Sequence, residues 1–360
     1  MVVIKIILVL LSIEILFRFF YYMINNKNYF VSLKLKWKDS YVVSHPFLSF
    51  SYKKNTIIGK NQKLPYPLHP NKYYSFKEPL KINNLGHFGD DFDLKKDKIR
   101  ILCLGASTTA NNISDGIQDY SYPKLLEKHL NKKLKNKVEV FNCGIGGWTS
   151  VDILINFILN LIQLSPDYVI LYHGYNDLHL YLMDDFESDY RHGRRNLGEI
   201  INKIKLANIL PKIKFLNFYE FIKDKIFGTG NARNDVLKMI TKNKIDYMSK
   251  YKDLNTQRNA IETLISVCKH HNIKVLLSSF CYYDYEKSLE SNKIKQGVMN
   301  ENKIIKEVKD KFDCLFVNQH NLVKKSDENF VDCIHFTPMG MKKLSENFGN
   351  ALITEIRRNK

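Results

Sequence analysis

None of the six cysteines (103, 143, 268, 281, 314 and 333) stands in a CxxC pair, so the commonest zinc-binding spacing is missing. Cys103 and Cys314 fall inside apolar, strand-like runs and Cys143 just after one, which makes them small buried hydrophobes. A disulfide between Cys281 and Cys333 stays open, because the sequence does not disclose the redox compartment. Acidic residues are in the minority, 37 against 55 basic ones, for a formal net charge of +18. Such a balance suits a nucleic acid, an anionic membrane or a lysine-rich proteome. The lysines are spread along the whole chain and no recognition motif accompanies them, which argues against nucleic-acid binding. No A-x-A cleavage site and no lipobox cysteine follow the apolar N-terminus, so a removed signal peptide is disfavoured. No internal repeat is found.

What is present describes a globular protein. The 360 residues are 44% hydrophobic and 12% aromatic, enough for one large domain with an appendage. Val2 to Met23 reads VVIKIILVLLSIEILFRFFYYM, long enough for one crossing of a bilayer core of roughly 30 Å. Lys5 can snorkel, and Glu14 and Arg18, four apart on one helical face, can pair. Residues 1–25 are therefore expected to form a retained single-pass transmembrane helix, the chain's partner being the membrane. Lys27, Lys34, Lys36 and Lys38 behind it would by themselves keep the rest of the chain cytoplasmic.

Residues 26–97 read as an irregular lead-in, rich in Tyr, Pro, Asn and Lys, that packs on a main domain spanning 98–360. It holds two short candidate strands, Ser40–Val43 and Leu48–Tyr52, and a tight glycine-containing loop, Asn84–Asp91. Beyond it, apolar runs at Ile99–Leu104, Val138–Phe141, Tyr168–Tyr172, Ile273–Ser278 and Cys314–Val317 predict buried strands. Helical patterns at Tyr122–Lys135, Ser150–Leu164, Thr256–His271, Lys293–Lys311 and Pro338–Arg357 alternate with them. Thr149 or Ser150 can cap the second helix, and Thr337 before Pro338 starts the last. This alternation predicts a doubly wound α/β sandwich of three layers around a five-stranded parallel sheet, with ligands at the carboxyl ends of the strands. The interval 179–254 breaks the pattern as a basic, largely helical insertion, with a helix expected over Asn196–Ile226 that Pro211 interrupts. Its apolar residues can form an amphipathic cap that shapes a pocket or rests on headgroups, or a plain surface elaboration.

Four polar clusters are predicted on one rim of that sheet. Gly105-Ala106-Ser107-Thr108-Thr109 follows the first strand, and Asn142-Cys143-Gly144-Ile145-Gly146-Gly147-Trp148-Thr149-Ser150 the second. Gly174-Tyr175-Asn176-Asp177 follows the third and Asp332-Cys333-Ile334-His335 the last. Ser107 can attack an acyl carbonyl, His335 can carry its proton, and Asp332 can orient the imidazole. The N–H of Ser107, the N–H of Gly147 and the Asn176 amide are candidates for the oxyanion hole. Asp177 reads as a structural acceptor, and Trp148 either lines the acyl pocket or covers the sheet edge. His173 and His179 flank the third cluster without a cluster of carboxylates nearby, so no metal is assigned and packing or pocket-lining roles are expected. His270 and His271 end a helix and suit its dipole.

These blocks, in this order, resemble the SGNH (GDSL) hydrolase family over roughly residues 99–357, the insertion apart. Its four named residues fall here on Ser107, Gly147, Asn176 and His335. GxND at 174–177 and DxxH at 332–335, followed by Thr337 and Gly340, carry most of the likeness. Ala106 replaces the usual Asp of the first block, and the G-x-S-x-G elbow of α/β-hydrolases is not met because Thr109 holds the last glycine's place. The resemblance implies a flavodoxin-like fold, an acyl-serine mechanism without cofactor, and an acyl ester of a glycan or lipid as substrate, O-acetylated glycans included. It implies equally an O-acyltransferase as the rival activity, and a membrane-anchored, extracytoplasmic domain. An idle glycan- or lipid-binding domain is the non-enzymatic alternative.

Overall fold

The computed structural model describes residues 2–25, 41–43, 45–59, 63–65, 73–75, 79–111, 120–135, 137–181, 186–190, 222, 255–284 and 289–358. The helix expected at Asn196–Ile226 and almost all of the insertion at 179–254 lie outside the described residues.

Five parallel strands form the central sheet: β1 (Ile99–Gly105), β2 (Val138–Gly144), β3 (Tyr168–Tyr172), β4 (Lys274–Ser278) and β5 (Leu315–Val317). Their spatial order is 2-1-3-4-5, the flavodoxin-like winding. β1 lies between β2 and β3 and is buried from Arg100 to Gly105, which is why its sequence is a continuous apolar run instead of an alternating one. The helices between the strands pack in two groups. Tyr122–Leu134 buries Tyr122, Leu126, Leu130 and Leu134 at a spacing of four and packs on Pro338–Arg358. Ser150–Asn156 packs on Asn255–His270, which meets Leu289–Phe312.

Register places the candidate site. Gly105 of β1 pairs with Gly144 of β2 and with Tyr172 of β3, so all three strands stop at one level. The residues that follow them therefore share one rim.

Three expectations change. β2 continues past Phe141 to Gly144, because Asn142 and Cys143 still pair with Cys103 and Leu104 although the apolar run has ended. The helix expected over Ser150–Leu164 is regular only to Asn156. It then widens into a π-type turn at Phe157–Leu161 and tightens into a 3-10 turn at Ile162–Leu164, and Ser165 closes it in the left-handed region at φ 48°. The third change concerns the expected transmembrane anchor. Val2–Asn25 is one helix of 24 residues, yet among the described residues no helix is long and apolar enough to cross a membrane. Lys5, Glu14 and Arg18 place three charged side chains in that helix. Glu14 accepts from Arg18 at 2.8 Å, the i,i+4 pair read from the sequence.

The lead-in packs on the sheet domain. Its described strands are short antiparallel pairs: Val42–Val43 with Ser51–Tyr52, Thr56–Ile58 with Leu80–Ile82, and Lys63–Pro65 with Tyr73–Ser75. Leu48, Tyr52, Ile58, Leu80, Ile82, Phe88 and Phe92 are buried in the same hydrophobic core as the sheet. All six cysteines are free, including Cys281 and Cys333.

Candidate active site

Gly105 ends β1 against a wall. A Cβ there would stand 2.1 Å from Thr109 Oγ1 and 2.5 Å from the Tyr172 carbonyl, so no side chain fits. After Ala106, a single helical turn, Ser107–Ala110, buries Thr108, Thr109 and Ala110 and leaves Ser107 at its start, half-buried at the rim. Asn111 closes the turn in the left-handed region, its N–H donating to the Ser107 carbonyl at 3.0 Å.

The last cluster arrives on a loop that Asp332 shapes. One carboxylate oxygen accepts the N–H of Ile334 at 2.9 Å and that of His335 at 2.8 Å. The His335 carbonyl takes the Val331 N–H, and Phe330 bridges Phe336 across the loop. The other Asp332 oxygen lies 2.7 Å from His335 Nδ1, and His335 Nε2 lies 2.9 Å from Ser107 Oγ. Three residues drawn from two ends of the chain thus form one hydrogen-bonded line. Burial alone would raise the Asp332 pKa. The His335 ring and the two backbone N–H groups outweigh it and bring the carboxyl down to about 2. Asp332 is therefore a carboxylate at any working pH, and it fixes the tautomer in which Nδ1 carries the proton and Nε2 is free to accept.

Gly147 and Asn176 occupy the neighbouring positions on the rim. Gly147 has φ +87°, in the left-handed region that favours glycine, and a Cβ there would meet the Phe50 ring at 3.4 Å. Among the described residues, the N–H groups of Ser107 and Gly147 donate to no protein acceptor. The Asn176 amide donates to the Trp148 carbonyl at 2.8 Å and so ties the third block to the second. Among the described residues no direct bond joins Ser107 to Gly147 or Asn176; strand register and the Asn176–Trp148 bond align them.

A buried polar layer lies behind the rim. Asp177 accepts from the Ser150 N–H at 3.0 Å, the Ser150 hydroxyl at 2.6 Å and the Tyr190 hydroxyl at 2.8 Å, with His173 Nε2 at 2.5 Å. Burial pushes its pKa up, but His173 and the Ser150 donors overcome this and hold it below the ordinary carboxylate range. It is the structural acceptor that the sequence suggests. Glu301, buried nearby, is pushed well above the ordinary range by burial and by Asp177. His87 is lowered to about 4 by burial and stands edge-on to Trp148. Trp148 is buried, and its indole N–H donates to the Phe50 carbonyl at 2.9 Å; it covers the sheet edge. His173 is a buried hydrogen-bond partner of Asp177 and not a pocket-lining residue, and the His179 side chain lies outside the described residues. Among the described residues no cluster could hold a metal ion.

Sequence reasoning missed Phe50 and Tyr52, which bind the glycine loop, and Ser49, which binds Asp152 in the helix after it, all from about 100 positions away. Nothing in their local sequence signals it, since a serine and a tyrosine in a short strand look like surface residues.

None of the curated proteins is significantly similar to this chain. Among solved structures, an α/β hydrolase enzyme from the metagenome of Lake Arreo, Spain, is 14% identical with a TM-score of 0.44, covering 72% of this chain and 96% of its own. A GDSL-like lipase from Bacteroides thetaiotaomicron is 15% identical with a TM-score of 0.42, over 72% and 91%. The acetyl xylan esterase AlAXEase is 16% identical with a TM-score of 0.42, over 70% and 99%. A likeness this distant fixes neither substrate nor mechanism. The model of the GDSL-like Lipase/Acylhydrolase family matches residues 103–343, two thirds of the chain and all four rim clusters. The chain belongs to the GDSL-like lipase/acylhydrolase family and is an ester-hydrolysing enzyme.

Proposed function

We propose that the enzyme removes a small acyl group from an ester through an acyl-serine intermediate, with O-acetyl groups on a glycan as its substrate class. The observation that carries this reading is the line from Asp332 through His335 to Ser107, with contacts of 2.7 and 2.9 Å. Ser107 Oγ attacks the carbonyl carbon while His335 Nε2 takes its proton, and the carbonyl electrons move to oxygen. The N–H groups of Ser107 and Gly147 and the free hydrogen of the Asn176 amide receive that oxyanion. On collapse the C–O bond to the alcohol breaks and His335 returns the proton to the departing oxygen. Water then repeats the sequence, giving the carboxylic acid and free Ser107. Gly147 supports a close approach to the substrate because it presents no side chain to it.

The test is the hydrolysis of p-nitrophenyl esters by the purified chain. Acetate is expected to give a kcat/KM at least about tenfold above octanoate, a transition-state preference of ~1.4 kcal/mol or more. A preference for octanoate would contradict the small-acyl reading. Transfer of acetyl to an added oligosaccharide faster than to water would make the enzyme an O-acyltransferase.

We also infer that the chain works at a membrane, with the sheet domain on the extracytoplasmic side. Leu8, Val9, Ile15, Phe19, Phe20 and Met23 of the N-terminal helix are all about half exposed or more, an apolar surface that lipid would cover. The full chain is expected to sediment with phospholipid vesicles, and a chain lacking residues 1–25 to stay in the supernatant. A full chain that stays in the supernatant would contradict it.

A further inference from the structure

We propose that Tyr52 is a positioning residue for the oxyanion loop, so that the lead-in segment is a working part of the catalytic centre. This rests on the assignment of Gly147 to the oxyanion hole. The loop from Gly146 to Thr149 carries a glycine at φ +87°, closed locally by the Trp148 N–H donating to the Ile145 carbonyl at 3.2 Å and by the Thr149–Asp152 capping box. Its other anchors come largely from residues 49–52. The Gly146 N–H donates to the Tyr52 hydroxyl oxygen at 3.0 Å, one residue before the N–H assigned to the substrate. The Trp148 indole N–H donates to the Phe50 carbonyl. Asp152 accepts the Ser49 N–H at 2.9 Å and its hydroxyl at 3.0 Å, while also accepting the N–H and hydroxyl of Thr149. Opposite these, the Asn176 amide holds the Trp148 carbonyl.

Tyr52 is suited to such a role. It is buried, and its ring packs on Tyr41 at 4.9 Å and on Phe88 at 5.0 Å, so its hydroxyl has a fixed position. Burial raises its pKa well above the ordinary tyrosine value, which keeps it neutral. The same aromatic group rests on the turn at Asn83–Gly89. There Asn83 accepts the N–H groups of Leu85 and His87, and His87 is delivered against Trp148. Both halves of the lead-in therefore converge on one loop. Loss of a whole oxyanion donor costs about 10²–10³ in kcat, so a loop that merely drifts should cost less.

The experiment compares the full chain with its Tyr52→Phe variant, which keeps the ring packing and removes only the hydroxyl. Three readouts are taken: kcat and KM for p-nitrophenyl acetate, the rate at which a fluorophosphonate labels Ser107, and deuterium uptake in the peptide covering 145–149. The expected result is a kcat about tenfold lower, KM within about twofold, labelling slowed about as much as kcat, and faster exchange in that peptide. An unchanged kcat and unchanged exchange would overturn the proposal and leave the esterase reading standing. So would a parallel loss of kcat, KM and melting temperature, which marks a structural role alone. A wild-type chain that neither hydrolyses the ester nor takes the label would overturn the esterase reading and this inference with it.

Discussion

Ser107→Ala is expected to lower kcat for p-nitrophenyl acetate by about 10⁴–10⁶-fold while leaving KM and the melting temperature nearly unchanged. The hydroxyl is the group that His335 Nε2 faces at 2.9 Å, and no other side-chain hydrogen bond is made by it among the described residues. It does not cap the turn it begins, because Ala106 holds the N-cap position and no side-chain cap is present. Removing it takes away the nucleophile and nothing the fold uses. Whatever rate is left comes from binding and the oxyanion donors, which alone retain about 10³–10⁴ over water in comparable triads. Steady-state kinetics with thermal unfolding on the same sample check this. A kcat within tenfold of wild type would place the nucleophile elsewhere.

Asp332→Asn is expected to cost about 10²–10⁴ in kcat with the loop intact. The new side chain still offers an oxygen to the N–H groups of Ile334 and His335, so the turn survives. What changes is the face turned to Nδ1: an amide NH₂ there favours the tautomer whose Nε2 carries the proton and cannot accept from Ser107. The pH dependence comes from the sign of the shift. The Asp332 pKa is lowered to about 2, below the ordinary value, so the stability it supplies is fully present above roughly pH 4 and is lost as pH falls toward 2. Between pH 5 and 9 the carboxylate itself stays ionised, so the loss in the variant should be present at neutral pH and owe nothing to protonation of Asp332. A variant kcat equal to wild type at neutral pH would mean that Asp332 does not act by holding the imidazole.

The parts of this molecule legible in the sequence are those that repeat a physical pattern. β1 and β3 are buried on both faces, and their uninterrupted apolar runs say so; the run at Tyr168–Tyr172 matches its strand to the residue. The four rim clusters are readable because each follows a strand, and a parallel sheet sends all such residues to one edge. The capping box that Thr149 forms with Asp152 is half visible, as a hydroxyl before a helix. What escapes is non-local or aperiodic. A tyrosine at 52 gives no sign that it meets Gly146, and Ser49 none that it meets Asp152. The π-type turn at Phe157–Leu161 has a sequence as apolar as a straight helix. At the N-terminus hydrophobicity suggests a membrane crossing, whereas among the described residues no helix is long and apolar enough for one.

In the proposed mechanism Ser107 carries the acyl group between the two halves of the reaction. Acid-quenching the enzyme during turnover of p-nitrophenyl acetate and mapping the digest by mass spectrometry tests this directly. One acetyl group on Ser107, absent when His335 is replaced by alanine, is the predicted result. Turnover with the acetyl group on another residue, or with none on the protein while p-nitrophenol is released in a burst, would contradict it.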